Sequence, residues 1–447
     1  MTLSNISKKF QNKHFMSLAG NGSMALLSVI TYSVLYRLLP ENDMGNWIFF
    51  QTVFALLDAI RTGFLQTAFI KFYSGADEER KAAVAGSTWY IAFIITLILA
   101  IPDVPALFTL HNINDSGVLF FLQWYGITLL LTCPFNVSFW VLQAEERFDR
   151  ILILRIINQG SFIICLAGLY FYKNINLQSI IYSFLGCSLF TSFIPLYFGW
   201  SSIKVIRKRT LDSVRELIRF GRYSVGTYLC STVFKYSDSI IIKFMIGPAA
   251  LAVYNLAQRL LEIIEIPIRS FLATAMPSMS IAFNKKDNHT VIYIMKKYTG
   301  ALTILLIPII LSMLLSADVI VNIIGGHKYI DTEAANVFRI FMLSAILFPL
   351  DRFTGITLDI IHKPQLNFIK IILSLIINIA TDILAIKIFG NIYGVASASV
   401  ITILFGVGFG YITLNKYLPF NLNGVFTLGY SESKAMIHGF IRKKNPS

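Results

Sequence analysis

An apolar stretch at residues 254–273 carries four charged residues that share one side of a predicted helix. At about 100° per residue, Arg259, Glu262, Glu265 and Arg269 fall within roughly a third of the circumference. The other positions are mainly Leu, Ile, Ala and Phe, which suit lipid. A charge at the centre of a bilayer costs about 2.5–3.5 kcal/mol on insertion scales, so such residues face protein or a water-filled path. We therefore predict that this face lines a polar cavity that binds a charged ligand.

The second and seventh apolar segments carry comparable charged faces. Asp58 and Arg61 lie three positions apart in the second segment, and so do Lys235 and Asp238 in the seventh. Residues at this spacing are neighbours on a helix, so each pair either neutralises itself structurally or contributes to the cavity. The planar guanidinium of arginine suits phosphate oxygens, and carboxylates within a membrane can exchange protons or Na⁺.

The candidate residues therefore form two chemical groups. The cations are predicted to bind a substrate that carries phosphate or acidic sugar: Arg61, Lys235, Arg259, Arg269 and Arg352. The acids are predicted to couple transport to an ion gradient: Asp58, Asp238, Glu262 and Glu265. Together they leave the predicted cavity close to neutral. Asp382, in the eleventh apolar segment, lies apart from these faces and is either a separate proton or ion site or a capped structural acid.

The composition places the chain in a membrane. Of the 447 residues, 55% are hydrophobic and only 14% are charged, against about 25% in a soluble protein, and the mean hydropathy is +0.66. About twelve apolar segments approach the roughly 20 residues that a helix needs to cross the hydrocarbon core. Strands of a membrane barrel would be shorter and alternating, so we predict an all-α integral membrane protein with about twelve transmembrane helices.

The basic residues indicate how the chain is oriented. Most of the 38 Lys and Arg residues fall in alternate connecting segments. Because such residues stay on the cytoplasmic side, we predict that both termini are cytoplasmic. The net charge of +14 then reflects membrane topology, and we expect no binding to nucleic acid. Lys243, Trp47, Trp89, Trp140 and Trp200 lie near segment ends, where they are predicted to reach the membrane interface.

The sequence holds no recognisable catalytic or metal motif. The six histidines lie in predicted loops or tails without ligand spacing, the four cysteines lie within apolar segments, and no nucleotide-binding loop is present. We therefore predict that the protein is not an enzyme and that it uses no metal or cofactor.

A weak internal repeat relates the two halves of the chain. Gln51 aligns with Gln258, and Asp58 aligns with Glu265 at the same offset. The repeat predicts an N-terminal six-helix bundle at residues 1–215 and a C-terminal six-helix bundle with a short cytoplasmic tail at residues 216–447. Two halves with the same orientation would be related by a pseudo-two-fold axis along the membrane normal, a recurrent plan of transporters.

Four stretches of the sequence resemble a known transporter family. The chain is similar to the polysaccharide repeat-unit flippases (Wzx type) of the multidrug/oligosaccharidyl-lipid/polysaccharide exporter (MOP) superfamily. The resemblance lies in RLLPENDMGNWIFFQTV (37–53), LQAEERFDRILILRII (142–157), YSDSIIIKFMIGPAALAVYNLAQRL (236–260) and the basic loop 204–222. It implies an alternating-access carrier of the bacterial cytoplasmic membrane that moves an undecaprenyl-pyrophosphate-linked oligosaccharide from the inner to the outer leaflet.

The resemblance also implies a role and partners. The product would be a surface polysaccharide such as O-antigen, capsule or exopolysaccharide. Partners would be the lipid-linked oligosaccharide, membrane lipids, and a polysaccharide polymerase or chain-length protein.

Two alternative functions stay open at this point. One is a multidrug exporter of the same superfamily that is driven by H⁺ or Na⁺. Its family members use a membrane acid in the first helix, and residues 17–39 contain neither Asp nor Glu. The other is a membrane-embedded glycan polymerase, for which we would expect a large outer loop with catalytic residues. The sequence favours the flippase over both.

Overall fold

The apolar segments of the sequence are α-helices in the computed structural model, which describes residues 13–103, 105, 113–173, 175–422 and 424–431. A helix pairs every backbone N–H and C=O within its own segment, as a hydrocarbon environment requires. The described residues form no β-strand. The prediction of an all-α protein is therefore confirmed.

Seven long helices occupy the first part of the chain. They are α1 (Lys13–Leu38), α2 (Glu41–Tyr73), α3 (Glu78–Ala100), α4 (Ser116–Ala144), α5 (Phe148–Phe171), α6 (Leu177–Tyr197) and α7 (Leu211–Met245). A 3₁₀ helix at Ile203–Lys208 connects α6 to α7.

Seven more helices follow. They are α8 (Pro248–Asn284), α9 (Asn288–Leu315), α10 (Ala317–Gly325), α11 (Ala334–Ala345), α12 (Phe348–Ile360), α13 (Pro364–Phe389) and α14 (Ile392–Asn415). A 3₁₀ helix at His327–Tyr329 lies between α10 and α11, and residues 424–431 are helical.

Many of these helices can cross a membrane. In the described part of the chain, eight are long and apolar enough, and nine if α11 and α12, bent by 48° at their junction, form one broken span. Helices α7 and α8 are longer still but carry the charged faces. The protein is therefore a multi-pass membrane protein. The predicted cytoplasmic termini concern residues that include 1–12 and 432–447, which lie outside the described residues.

The chain divides into two compact units. The first consists of Met1–Lys243 with Gly247–Ala252, and the second of Phe244–Ile246 with Val253–Ser447. Helix α7 thus packs with the six helices before it. The predicted boundary between residues 215 and 216 concerns the halves of the repeat, and it stays a prediction.

Two glycines allow α7 to approach α2 closely. A Cβ atom on Gly63 would lie 2.7 Å from Cβ of Tyr228, and one on Gly221 would lie 2.5 Å from the backbone oxygen of Phe64. Both distances are too short for a side chain, so the two helices are in backbone-level contact.

Three of the four tryptophans predicted to reach the membrane interface are buried in the first unit. Trp47, Trp89 and Trp140 are buried, and the indole N–H of Trp89 donates to the backbone oxygen of Ser201 at 2.8 Å. Trp47 packs against three phenylalanine rings, among them Phe162. The prediction that these three tryptophans anchor the protein at the membrane interface is therefore wrong, because they are buried within the first unit.

In the second unit, α13 and α14 form a hairpin whose packed face is polar. Lys370, Ser374, Asn378 and Asp382 are buried at a spacing of four residues along α13. The amide of Asn378 donates to Asp382 Oδ2 at 2.8 Å. This hydrogen bond supports the structural alternative for Asp382, and the ion site there stays a prediction.

Candidate substrate-binding residues

Helix α8 presents its charged residues as pairs on successive turns. Arg259 Nη1 lies 3.2 Å from Glu262 Oε2, three positions along the helix. One turn further, Arg269 pairs with Glu265 at a spacing of four. The charged face predicted from the sequence is thus present on α8 and is balanced by its own acids.

Glu265 also reaches a second helix. Its Oε2 accepts from Arg269 Nη2, and its Oε1 lies 3.3 Å from Nη2 of Arg352 on α12. Two guanidinium groups from different helices therefore converge on one carboxylate. The side chains of Arg269 and Arg352 are 72% and 54% exposed, whereas that of Glu265 is 24% exposed. We call Glu265, Arg269 and Arg352 the two-arginine site.

The two-arginine site has the geometry of an anion receptor. A guanidinium offers parallel N–H groups to the paired oxygens of a carboxylate or a phosphate. An exposed ion pair contributes only about 0–1 kcal/mol, so a more highly charged anion can displace the Glu265 carboxylate at little cost. A phosphate group would then occupy the position that Glu265 fills between the two arginines.

Arg61 has a different environment in the first unit. Its side chain is 0% exposed, and it bonds both Nε and Nη2 to Asp58 on the same helix. Its Nη1 donates to Thr96 Oγ1 at 3.1 Å and to the backbone oxygen of Leu129 at 2.9 Å, and its Nη2 donates to Thr132 Oγ1 at 3.2 Å. Arg61 is therefore enclosed by α2, α3 and α4, and a ligand would reach it only if these groups moved.

Asp58 is the more accessible member of this pair. It also accepts hydrogen bonds from Asn136 Nδ2 on α4 at 3.1 Å and from Thr62 Oγ1 at 3.1 Å. A carboxylate with this many donors is held in a fixed orientation. The arrangement matches the self-neutralising structural pair that the sequence left as one alternative.

Lys235 and Asp238 differ in exposure although they lie on the same helix. Lys235 is exposed on α7. Asp238 is buried, and Ser237 Oγ lies 3.4 Å from its Oδ1. Lys235 is therefore accessible to a ligand in this structure, whereas Asp238 is not.

The structure brings some predicted residues together and separates others. Glu265, Arg269 and Arg352 form one site, and Asp58 forms a second with Arg61. Sequence reasoning missed Asn136, whose isolated amide within an apolar segment was the available signal. Among the described residues, no cluster of three or more His, Cys, Asp or Glu side chains could hold a metal ion.

Comparisons with known proteins show the family. The sequence profile of the polysaccharide biosynthesis protein family matches residues 11–283, which is more than half of the chain, and the MatE profile matches residues 224–384. A probable low-salt glycan biosynthesis flippase, Agl15 of Haloferax volcanii, is 23% identical over 375 residues that cover 82% of this chain and 75% of that protein.

Two solved structures share the fold. An inward-facing multidrug resistance transporter of the MATE family superposes with a TM-score of 0.73 at 14% identity, over 93% of this chain and 96% of that one. The lipid II flippase MurJ in an inward closed conformation also gives 0.73, at 16% identity over 96% and 93%. The chain therefore belongs to the polysaccharide biosynthesis protein family, within the MOP superfamily of flippases and transporters.

Proposed function

We propose that this protein flips a lipid-linked oligosaccharide across the membrane and that the two-arginine site binds the phosphate of its lipid anchor. The observation that carries the proposal is the convergence of Arg269 and Arg352 on Glu265. Two exposed guanidinium groups from separate helices match the oxygens of a pyrophosphate better than a single cation would.

Glu265 would act as the resident anion of the empty site. When the phosphate of the substrate binds, it takes over both arginines and frees the carboxylate. Substrate binding at Arg269 and Arg352 would in this way make the Glu265 carboxylate available to the coupling ion, H⁺ or Na⁺, with Glu262 as its neighbour on α8.

The predicted ion-coupling acids of the first unit take different roles in this proposal. Asp58 is fixed by Arg61 and Asn136, so we assign it to holding α2 and α4 together. Asp238 is buried on α7 and would take part only after α7 moves. We assign Arg61 to the packing of α2, α3 and α4, and Lys235 remains a candidate substrate-binding residue.

The cellular setting is part of the proposal. The relative from Haloferax volcanii carries the name of a probable glycan biosynthesis flippase. We propose that this chain serves synthesis of a surface polysaccharide in a bacterial cytoplasmic membrane, with both termini in the cytoplasm. A polysaccharide polymerase or chain-length protein would receive the flipped glycan.

An ion-coupled multidrug exporter is the second candidate function. The match of residues 224–384 to the MatE profile favours it. In that case the acids Glu262 and Glu265 would bind the cationic drug, and loss of the arginines would not reduce export. Efflux of a cationic dye from vesicles, measured for wild type and for Arg269→Ala, distinguishes the two functions.

Ligand binding to purified protein tests the proposal. A ligand that binds only the folded state raises the free energy of unfolding by RT ln(1 + [L]/Kd), so a tighter ligand gives a larger rise at the same concentration. We expect undecaprenyl pyrophosphate to raise the unfolding temperature of the wild type, and undecaprenol, which lacks phosphate, to do so much less.

The double variant Arg269→Ala/Arg352→Ala should weaken pyrophosphate binding by about tenfold or more, since each charge-assisted contact contributes about 1.5–3 kcal/mol. Arg339→Ala is the matched control. Arg339 lies in the same unit, and its Nη2 lies 2.5 Å from Oδ2 of Asp318, which is not part of the two-arginine site. Equal affinity of the double variant and the wild type would refute the assignment.

A further inference from the structure

A buried ion pair in the second unit lies beside the two-arginine site. Lys370 Nζ on α13 donates to Oδ1 of Asp351 on α12 at 2.9 Å, and the Lys370 side chain is only 7% exposed. Asp351 directly precedes Arg352, whose guanidinium contacts Glu265 on α8. The first turn of α12 is therefore held to α13 by one residue and contacts α8 through the next.

Lys370 also holds the backbone of this turn. Its Nζ lies 3.1 Å from the backbone oxygen of Asp351, which accepts from Thr354 Oγ1 at 3.0 Å as well. Helix α12 begins at Phe348, just after the 48° bend that separates it from α11. Because the bend interrupts the helix, the rotation of α12 depends on contacts with the neighbouring helices. Lys370 supplies such a contact in the turn that carries Arg352.

Two glycines leave room for the ion pair. A Cβ atom on Gly406 of α14 would lie 2.8 Å from Oδ1 of Asp351, and one on Gly355 of α12 would lie 3.2 Å from Nζ of Lys370. The first distance is too short for a side chain, and the second is tight. Helices α12, α13 and α14 therefore close around the ion pair where these two side chains are missing.

The same helix junction occurs in the first unit. Helix α4 ends at residue 144 and α12 at residue 360, and α5 begins at residue 148 and α13 at residue 364, so both boundaries recur at an offset of 216 positions. The turns correspond too, since Glu146 and His362, at the same offset, have positive φ angles of 56° and 59°. This offset relates α4 and α5 to α12 and α13 residue by residue.

The first unit is apolar where the second unit has the ion pair. Lys370 corresponds to Leu154, which belongs to a buried apolar cluster, and Asp351 corresponds to Phe135, which packs against that cluster. The junction can therefore close without a buried charge. Replacing a buried ion pair by apolar residues is often neutral or stabilising, so packing alone does not account for Lys370 and Asp351.

The residue next to the ion pair differs between the units as well. Arg352 corresponds to Asn136, whose amide donates to Asp58 on α2 at 3.1 Å. Asp58 in turn corresponds to Glu265, at the offset that relates the starts of α2 and α8. Both units thus have an acid that is contacted from the helix before the junction, by a neutral amide in the first and by a guanidinium in the second. The ion pair accompanies the guanidinium, which indicates that it serves Arg352.

We propose that Lys370 is a positioning residue of the two-arginine site. By binding the carboxylate and the backbone oxygen of Asp351, it fixes the rotation of the first turn of α12. Consecutive side chains on a helix point about 100° apart, so holding Asp351 against α13 directs Arg352 toward α8 and the phosphate. Lys370 itself does not touch the phosphate. The inference rests on the flippase function proposed above and adds the residue that keeps Arg352 in place.

A double-mutant cycle on the purified protein tests this role, with undecaprenyl pyrophosphate as the probe. Lys370→Met should raise the Kd by about tenfold or more, as for the loss of one charge-assisted contact. In an Arg352→Ala background, Lys370→Met should change the Kd by less than about twofold, because Lys370 acts through Arg352. Additive effects would show that Lys370 binds the phosphate itself, and an unchanged Kd of Lys370→Met would show a role in packing only. Either result overturns the proposal.

A variant without the two charges separates positioning from stability. Asp351→Asn/Lys370→Met leaves no unpaired charge, so it should be more stable than Lys370→Met and carries the test if that variant does not fold. Its Kd should stay about tenfold or more above that of the wild type, because the tether to the backbone of α12 is still missing. A wild-type Kd would show that Lys370 only neutralises Asp351, which would overturn the positioning role.

Lys387→Met is the matched control, because Lys387 is an exposed lysine in the last turn of the same helix. It should keep the wild-type Kd. In vesicles that contain saturating lipid-linked oligosaccharide, Lys370→Met should translocate at a rate within about twofold of the wild type, since the site fills once the substrate exceeds the raised Kd. A lower maximal rate with an unchanged Kd is the result of a merely structural role and would contradict the proposal.

The outcomes separate the two proposals. An unchanged Kd in Arg269→Ala/Arg352→Ala overturns the two-arginine site, and with it the role of Lys370. A Kd that rises in that variant but not in Lys370→Met overturns the positioning role alone. Monodisperse elution in detergent checks that each variant is folded.

Discussion

The ammonium group of Lys243 lies 2.9 and 2.8 Å from the two carboxylate oxygens of Asp115, and the Lys243 side chain is only 2% exposed. This ion pair joins the last turn of α7 to the start of α4. The expectation that Lys243 extends to the membrane interface is therefore wrong, because a carboxylate lies within reach inside the first unit. The same carboxylate caps α4 by accepting from the backbone N–H groups of Gly117 and Val118.

Removing the charge of Asp115 alone should destabilise the first unit more than removing the charges of both Asp115 and Lys243. Asp115→Asn leaves a buried ammonium without its charge partner, which we expect to lower the free energy of unfolding by about 2–3 kcal/mol, less than for a fully buried pair because Asp115 is partly exposed. Asp115→Asn/Lys243→Met removes both charges and should recover much of the loss. Thermal unfolding in detergent measures this, and equal stability of the single variant and the wild type would contradict it.

The same pair makes a prediction about pH. Burial by itself would raise the pKa of Asp115, but Lys243 and the capping N–H groups outweigh it, so the pKa of Asp115 lies below its ordinary value. A lowered carboxyl pKa stabilises the fold above the unfolded-state pKa of about 4, and this stabilisation disappears as the pH falls through the folded-state pKa. The stability difference between wild type and Asp115→Asn should therefore be full at pH 7 and shrink below about pH 4. A difference that stays constant down to that range would show that the charge of Asp115 is not its cause.

Gly45 tests the docking of the α7–α8 connection on α2. A Cβ atom at Gly45 would lie 1.8 Å from the backbone oxygen of Pro248, so Gly45→Ala must displace the start of α8. We expect a loss of about 2 kcal/mol or more in unfolding free energy, as for other overpacked sites. Gly168→Ala in α5 is the control, because nothing lies within 4 Å of the added atom, and it should be neutral or slightly stabilising. Equal effects of the two substitutions would refute this contact.

Arg61 should behave as a structural residue. Arg61→Met leaves the Asp58 carboxylate without its main partner and should destabilise the protein by about 3 kcal/mol. Asp58→Asn/Arg61→Met should be more stable than the single variant, since no charge is left unpaired. Unfolding temperatures and translocation rates of both variants measure this. Normal stability of Arg61→Met combined with lost translocation would instead show that Arg61 binds substrate.

Helical structure and charge pairs within one helix could be predicted from the sequence. Hydrophobic segments of membrane length fold as helices regardless of their neighbours. The last apolar segment predicted from the sequence, 392–415, therefore coincides with α14 (Ile392–Asn415). Pairs at a spacing of three or four, such as Arg259 with Glu262, follow from helix geometry alone.

Contacts between helices could not be predicted in the same way. Glu265 and Arg352 are separated by 87 positions, and nothing in the local sequence states that α8 and α12 are adjacent. The prediction that Trp89 lies at the membrane interface failed for a similar reason. A tryptophan near the end of an apolar segment can either face the interface or donate to a buried partner, here the backbone oxygen of Ser201.

The rate at which Arg269→Ala/Arg352→Ala moves a lipid-linked oligosaccharide tests the central claim most directly. Vesicles would contain the wild type, the double variant or Arg339→Ala at equal density, and lectin binding would report glycan in the outer leaflet. The two-arginine site predicts that the double variant is slower by about tenfold or more, while Arg339→Ala keeps the wild-type rate. A double variant that flips the glycan as fast as the wild type would contradict the account.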